Sequence, residues 1–476
     1  MIARPALLAC AALALCGCVV GPDFHRPAAP TVGSFISDQA RQPADAGAQV
    51  IVQGMDIPAR WWTVFHSAEL DALVGAALAH NPDTAAAEAA LRQARELLYA
   101  QRGALLPTVG VGVQALRTRT SATLAPTPAD NSLSYTLFTP QVTVAYTPDV
   151  FGGLRRQVEG AAARAEAQKF QTEAAYLTLT SNVVQAALLE SSLREQIAAT
   201  RGIIAADTRL LEIMRRQRAA GQIAGADVAA QETALAQAEQ TLPPLEKQLA
   251  QERDLLAILA GRFPAEGPSG TVEISALALP HQVPAGLPSS LVERRPDILA
   301  AEANLHAASA AVGVAAAARL PTVTLGVQGG SAASDLGGLF SSPNLFWQLA
   351  GEVTHPLFDG GQLKHQQKAA EAAYDQAREQ YRSTVLAAFQ NVADSIEALE
   401  FDQAGFDAAL RAETAAGRSL EISRRQADLG EVARLSVLTA EQAYQQTRIA
   451  TIQARAARYT DTVALFQALG AGGWPA

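Results

Sequence analysis

Histidine is the commonest metal ligand and the side chain that titrates closest to neutrality. This chain has seven, His25, His66, His80, His281, His306, His355 and His365, scattered without the spacing of a metal site. All three cysteines fall at or before residue 18, so the rest of the chain can hold no disulfide. The stretch Val109-Gly110-Val111-Gly112-Val113 lacks both the full spacing and the strand-then-helix setting of a dinucleotide-binding loop. No G-x-S-x-G elbow occurs. These residues point to no catalytic centre, no cofactor and no metal, and away from an enzyme. A net charge of −9 and a pI near 5.4 argue against nucleic acid as a partner.

The cysteines have another use. Arg4 followed by the apolar stretch Ala6 to Leu15 is too short to span a bilayer and reads as a secretory signal, residues 1–17. Leu15-Cys16-Gly17-Cys18 resembles a bacterial lipobox. On that resemblance Cys18 becomes the first mature residue and carries the lipid. Val19, rather than Asp, follows it, which by analogy favours the outer membrane. Residues 18–60 are then a lipid-anchored extended segment. No later apolar run reaches the roughly 18 residues of a membrane helix, so the chain is expected to cross a membrane, if at all, with strands.

The elements that would do so are written twice. "ALLPTVGVGVQ" (Ala104 to Gln114) returns as "ARLPTVTLGVQ" (Ala318 to Gln328), and "NPDTAAAEAAL" (Asn81 to Leu91) as "RPDILAAEANL" (Arg295 to Leu305). "LEIMRRQRAAGQ" (Leu211 to Gln222) pairs with "LEISRRQADLGE" (Leu420 to Glu431). Two repeats follow, 61–275 and 276–476, each of ordinary domain length.

Each repeat predicts two strands and then a long helical hairpin. The strands are 107–118 and 134–147 in the first copy, 321–330 and 344–355 in the second. In each, apolar residues alternate with small or polar ones, as at Val109, Val111 and Val113 against Gly110, Gly112 and Gln114. Period two gives each strand one apolar and one polar face, and about ten residues suffice for a tilted strand to cross a bilayer. A half-buried hairpin in a soluble sheet would look similar. The joining segments, Arg117 to Ser132 and Gly330 to Pro343, read as exposed loops.

The hairpins are predicted over 154–261 and 362–470. No proline occurs between Pro148 and Pro243, or between Pro356 and Pro475. A helix over Leu154 to Ala220 would be about 100 Å long at ~1.5 Å per residue. The chain should break at Gly221 to Gly225 and again around Gly430. The returning helices carry heptads: Val228, Leu235, Leu242, Leu249 and Leu256 in one, Leu435 to Phe466 in the other, interrupted by Gln442 and Gln445. Pro243-Pro244 is expected to kink or break the first of them.

Four strands cannot close a barrel, and an open edge in lipid costs several kcal/mol per unpaired backbone group. The subunit must stay out of the bilayer or share a barrel with its copies. Two copies would supply eight strands and three twelve, and the small and polar faces favour an open lumen.

"GPDFHRP" (Gly21 to Pro27), "WWTVF" (Trp61 to Phe65), "LDALVGAALAHNPD" (Leu70 to Asp83), the two "LPTV" runs and "RRQRAAGQIAGADVAAQE" (Arg215 to Glu232) resemble, in this order, the outer-membrane factor family. These are the TolC/OprM-like channels of tripartite efflux pumps, and the chain resembles specifically their NodT-type lipoprotein branch. The resemblance implies an α+β membrane channel in the outer membrane. It would be a homotrimer with a twelve-stranded β-barrel, four strands per subunit, continuous with a periplasmic α-helical coiled-coil barrel. Its partners would be a periplasmic adaptor (membrane fusion) protein, an inner-membrane RND pump and outer-membrane lipid. The family's tip motif falls on Gly221, Ile223 and Asp227 and on Gly430 and Val432, where the adaptor would bind; Asp227 could equally cap a helix. The family's constriction falls on Leu435, Ser436 and Thr439. Ser436 and Thr439 stand where several relatives carry Asp, so an acidic gate is not expected, while Leu435 could narrow the opening by packing. The readings are a passive exit duct for drugs or other small molecules, a duct for type I protein secretion, or a periplasmic coiled-coil lipoprotein without a pore.

Overall fold

The structure is a computed structural model that describes residues 19–36, 49–53, 55, 57–119, 134–268, 270–285 and 288–470. The expected signal peptide 1–17, Cys18, the segment 120–133 and the last six residues lie outside the described residues.

The elements in chain order are β1 (Val50–Gln53), α1 (Ala68–His80), α2 (Pro82–Gly103), β2 (Thr108–Arg119), β3 (Ser134–Tyr146), α3 (Gly153–Ala219), α4 (Gly225–Leu259), β4 (Gln282–Ala285), α5 (Pro288–Arg294), α6 (Pro296–Ala317), β5 (Thr322–Ser331), β6 (Leu345–Thr354), α7 (Gln362–Asp428) and α8 (Arg434–Ala468). The duplication is visible in their lengths. α3 and α7 each have 67 residues, and α4 and α8 each have 35.

Two compact units emerge, and neither is a repeat. Among the described residues, one gathers those up to Pro27 and within Leu91–Gln168 and Ala301–Tyr381; the other gathers those within Ala28–Ala90, Lys169–Ala300 and Arg382–Ala476. Each therefore draws on both copies.

The first unit holds the four-stranded sheet, in the order β2-β3-β5-β6, with every pair antiparallel. The strands fall within one or two residues of their predicted bounds. β2 runs on through Arg119, so the start of the expected first loop is strand. The second loop is built rather than loose. Phe138 and Ala333 exchange two backbone hydrogen bonds of 2.8 and 3.1 Å, and Asn344 Nδ2 donates to Gly338 O at 2.8 Å. After the strands, each long helix opens on an aspartate. Asp149 accepts from the N–H groups of Leu154 and Arg155 at 3.0 and 2.8 Å, and Asp359 from those of Gly361 and Leu363, both at 2.8 Å. These two backbone donors hold the Asp359 carboxyl below the usual range, as a negative cap on a helix N-terminus should be held.

The second unit has an aromatic core. Trp61, Phe65 and Phe466 are buried, Trp61 stacks on Phe466 with centroids 5.5 Å apart, and Tyr459 donates to Leu277 O at 2.7 Å. Here the duplicated "NPD" and "RPD" phrases do the same work. Asn81 Nδ2 donates to Leu259 O, the last carbonyl of α4, at 3.0 Å; Arg295 Nη1 donates to Ala468 O, the last carbonyl of α8, at 2.7 Å. The glycine past each helix, Gly261 (φ +69°) or Gly470 (φ +73°), lies close to the same joint: an added Cβ would sit 2.2 Å from His80 O, beside Asn81, or 3.1 Å from Arg295 Cα. One helix end is thus docked in the same way twice, each time with its last carbonyl satisfied by a side-chain N–H from outside the helix.

Two expectations need correcting. α4 continues through Pro243 and Pro244, so of the expected kink or break the break does not occur. Both prolines hold a helical φ, and the two carbonyls they leave without donors, those of Glu239 and Gln240, belong to exposed residues that water can serve. Second, α6 is long and apolar enough to cross a membrane, with a mean hydropathy of 1.3 in its most apolar window, although no such helix was expected. Half of that window is buried. Its alanines permit close packing, as where Ala310 Cβ lies 3.5 Å from the position a Cβ would take on Gly160.

Candidate functional site

In the sheet, directly opposed residues share a face, so the register sorts the side chains. Val109, Val111 and Val113 oppose Val144, Val142 and Pro140; Leu325 and Val327 oppose Tyr146 and Val144; Val323, Val327 and Gly329 oppose Val353, Leu349 and Trp347. One face is thus apolar across all four strands, and it is bare: Val113 is 75% exposed and Trp347 81%. The other face carries Gln114, Gln141, Thr143, Gln328, Gln348 and Glu352 among glycines, and Gln328 Nε2 donates to Gln348 Oε1. β2 and β6 are each paired on one side only. Such a sheet shows a contiguous exposed apolar face, of the kind that marks an interaction surface, next to two edges left open among the described residues.

The chain start is fastened to this unit, a feature the sequence reading did not find. Arg156, on the first turn of α3, donates to Asp23 Oδ1 at 2.7 Å, to Glu159 Oε2 at 2.8 Å and to Val20 O at 3.3 Å. Burial opposes its charge, but the hydrogen bonds to Glu159 and Asp23 outweigh that and leave the guanidinium pKa raised. Phe24 stacks on His306, centroids 4.4 Å apart, and His306 Nε2 contacts Glu159 at 2.9 Å. Gly21 (φ +97°) has no room for a Cβ, which would lie 2.4 Å from Gly313 Cα. Val19 in turn packs on Gly152, immediately before α3. The motif Gly21 to Pro27 is therefore a strap, in which Asp23 pairs with Arg156, Phe24 stacks on His306 and Arg26 pairs with Glu302.

The hairpin tips lie in the second unit and are built alike. Gly221 (φ +72°) donates to Arg218 O at 2.9 Å, and Gln222 to Gln217 O at 2.9 Å; Gly430 (φ +76°) donates to Ala427 O at 3.1 Å, and Glu431 to Gln426 O at 2.8 Å. This is the double bond of a helix end closed by a left-handed glycine. Asp227 Oδ2 accepts from Ala224 N at 3.1 Å, so its carboxylate caps α4. Ala224 has no side-chain acceptor to return the bond, and the box is half made. Ile223 and Val432 are half-buried at matching places just past the glycines.

Leu435 packs with Leu438, Leu210, Ala206, Ile213 and Met214 in a small apolar cluster. Ser436 and Thr439 are exposed, and the Thr439 hydroxyl donates to Leu435 O at 3.1 Å. Every seam residue named in the heptads of α4 and α8 is buried or half-buried, Gln442 and Gln445 included. Among the described residues no group of three His, Cys, Asp or Glu could hold a metal ion.

Comparison with known proteins places this geometry. The family model for "Outer membrane efflux protein" matches residues 73–262 and 287–471, one span in each repeat. The pyoverdine export outer membrane protein OpmQ of Pseudomonas putida is 32% identical, the alignment covering 94% of each chain. The toluene efflux pump outer membrane protein TtgF of Pseudomonas putida is 30% identical, over 97% of this chain and 95% of that one. Among solved structures, the outer-membrane channel OprN superposes with a TM-score of 0.82 at 26% identity, covering 96% of this chain and all of its own. The open MtrE channel of Neisseria gonorrhoeae gives 0.80 at 25% identity, covering 96% and 98%. The chain belongs to the outer membrane efflux protein family, and its place is the outer membrane.

Proposed function

We propose that the protein is the exit duct of a tripartite efflux system, through which small molecules pass passively out of the cell. The observation that carries this is the sheet: four strands, an exposed apolar face, a polar face and two open edges. In lipid those edges must be paired, and three copies meeting β2 to β6 would close a twelve-stranded barrel with the glutamines and glycines inside. The apolar residues would then face acyl chains. Two relatives are named for pyoverdine export and toluene efflux, which favours small-molecule cargo over a secreted protein. A coiled-coil spacer without a pore would have no use for the bare apolar face.

Cys18 would carry the lipid. Its neighbour Val19 is held at Gly152, in the short connection from β3 to α3, and the apolar face of β3 would lie in the bilayer, so a diacyl chain on Cys18 has a membrane within reach. The periplasmic adaptor would meet the tips at Gly221, Ile223, Asp227, Gly430 and Val432, and an inner-membrane RND pump would load the system through it. Leu435, Ser436 and Thr439 would stand at the periplasmic constriction as an uncharged ring. Planar-bilayer recordings on the purified full-length protein, with its mass in detergent measured by light scattering, test the core reading. The expected result is a trimer with stepwise conductance; a monomer that forms no pore overturns it.

A further inference from the structure

α7 and α8 run antiparallel, and their contacts fix a register. Arg424 lies beside Glu441 at 3.8 Å, Tyr444 lies 3.4 Å from where a Cβ on Gly417 would be, and Arg458 sits over the Phe406 ring at 4.9 Å. One more turn along each helix brings Asp402 against Asp461, within hydrogen-bonding reach. Asp402 Oδ2 is buried, and no donor among the described residues serves it. Two carboxylates can only accept, so two facing each other cannot both be ionised without repulsion. The charged groups acting on Asp402 are Asp461 and Arg458, both from α8. Arg458 is itself shared with Asp407 on α7, whose other partner is Gln403 Nε2 at 2.8 Å.

We propose that Asp402 and Asp461 share one proton at neutral pH and that this proton clasps α7 to α8. The bonded hydrogen turns an acceptor–acceptor contact into an O–H···O bond between the two helices. Loss of that proton leaves two like charges at a helix contact with one half-engaged arginine beside them. Burial, with Asp461 second, pushes the Asp402 carboxyl up to about 7, so the pair changes state within the range a periplasmic protein meets. The clasp sits in the hairpin whose turn is Gly430, and it goes beyond the duct reading: it concerns how firmly that hairpin is held.

The sign is set by linkage. The folded value lies above the unfolded one of 3.8, so folding takes up a proton between them, and stability falls as pH rises from about 4 to about 7 and then levels. The test is thermal unfolding of the purified full-length protein in detergent from pH 5 to pH 9, for the parent, Asp402→Asn and Asp461→Asn. The expected result is a melting temperature that drops by several degrees up to pH 7 in the parent and a drop clearly smaller in both variants. An infrared carboxylic-acid band that titrates near pH 7 in the parent and is missing from Asp402→Asn supports the shared proton independently of stability. An unchanged slope in the variants overturns the proposal. So does millimolar Mg2+ or Ca2+ raising the parent's melting temperature above pH 7 while leaving Asp402→Asn unmoved, because a cation, not a proton, would then be the bridge. If either variant fails to fold, the infrared band of the parent alone decides.

Discussion

Val113 and Gln114 are neighbours in the chain and, on the proposed reading, a membrane apart in environment. Val113 is the sixth of twelve residues in β2 and pairs with Pro140, the seventh of thirteen in β3, so it lies near the middle of the sheet's height. Gln114 pairs with Thr139 on the opposite face. Lysine on the lipid face of a barrel costs about 2–4 kcal/mol at the bilayer midplane, whereas a lumen position tolerates charge. Val113→Lys should therefore lower the folding constant by roughly 30- to 700-fold per protomer, at ~1.4 kcal/mol per tenfold. Gln114→Lys should change it by less than about fivefold, within the ~1 kcal/mol typical of a polar exchange. Equilibrium unfolding in lipid vesicles, read by tryptophan fluorescence, measures both; conductance then reports Gln114→Lys as a change in ion selectivity. Equal costs for the two variants, or no cost for Val113→Lys, would refute the placing of the apolar face in lipid. A soluble sheet would predict a mild effect at both, since both side chains are exposed in the single chain.

Three further outcomes follow from the second unit. Gly261→Ala combines a left-handed backbone with a Cβ 2.2 Å from His80 O and should cost about 2–5 kcal/mol, while Gly221→Ala, with φ +72° but open space around it, should cost only about 1–2 kcal/mol, both read by thermal melting. Glu190, whose side chain is 1% exposed, accepts from Arg194 and Arg253 at 2.9 and 3.0 Å; Glu190→Gln should destabilise by about 3 kcal/mol, the low end for a broken buried pair, because Arg194 keeps Glu273. Asp227→Ala removes a helix cap and should cost about 0.5–1 kcal/mol in denaturant unfolding; a loss of adaptor capture larger than that cost explains would assign the residue to the partner surface.

The parts legible in the sequence are those set by local periodicity. Val109 to Val113 alternate because a strand has two faces, and the long proline-free stretches are helical because nothing interrupts them. Pro243-Pro244 signals a kink or a break, yet the helix runs on through both, because the carbonyls left without donors are exposed and lose little. β1 and β4 were illegible: four residues each, one holding Pro284, paired in parallel from opposite halves of the chain. The strap at Arg156 and the Asp402–Asp461 contact were illegible for the same reason, as partners far apart in sequence leave no local pattern.

Duplication gives one exception to that rule. A long-range contact made in both copies does leave a trace, because the two ends recur together at nearly one offset. Asn81 with Leu259 and Arg295 with Ala468 are such a pair, and the proline after each, with the glycine after each helix, marks the joint in the sequence. The side chains at this joint differ, an amide in one copy and a guanidinium in the other, yet both supply an N–H to the same orphan carbonyl. The requirement preserved is the donor, not the residue. The tips obey the same logic with Gly221 and Gly430, and the strand-to-helix corners with Asp149 and Asp359. The copies part at two places. Asp227 in the first tip has no acidic counterpart at Ser436, and the strap from Asp23 to Arg156 has no second copy to hold. Matched positions therefore report what the fold needs twice, and unmatched ones report where the two halves have different work.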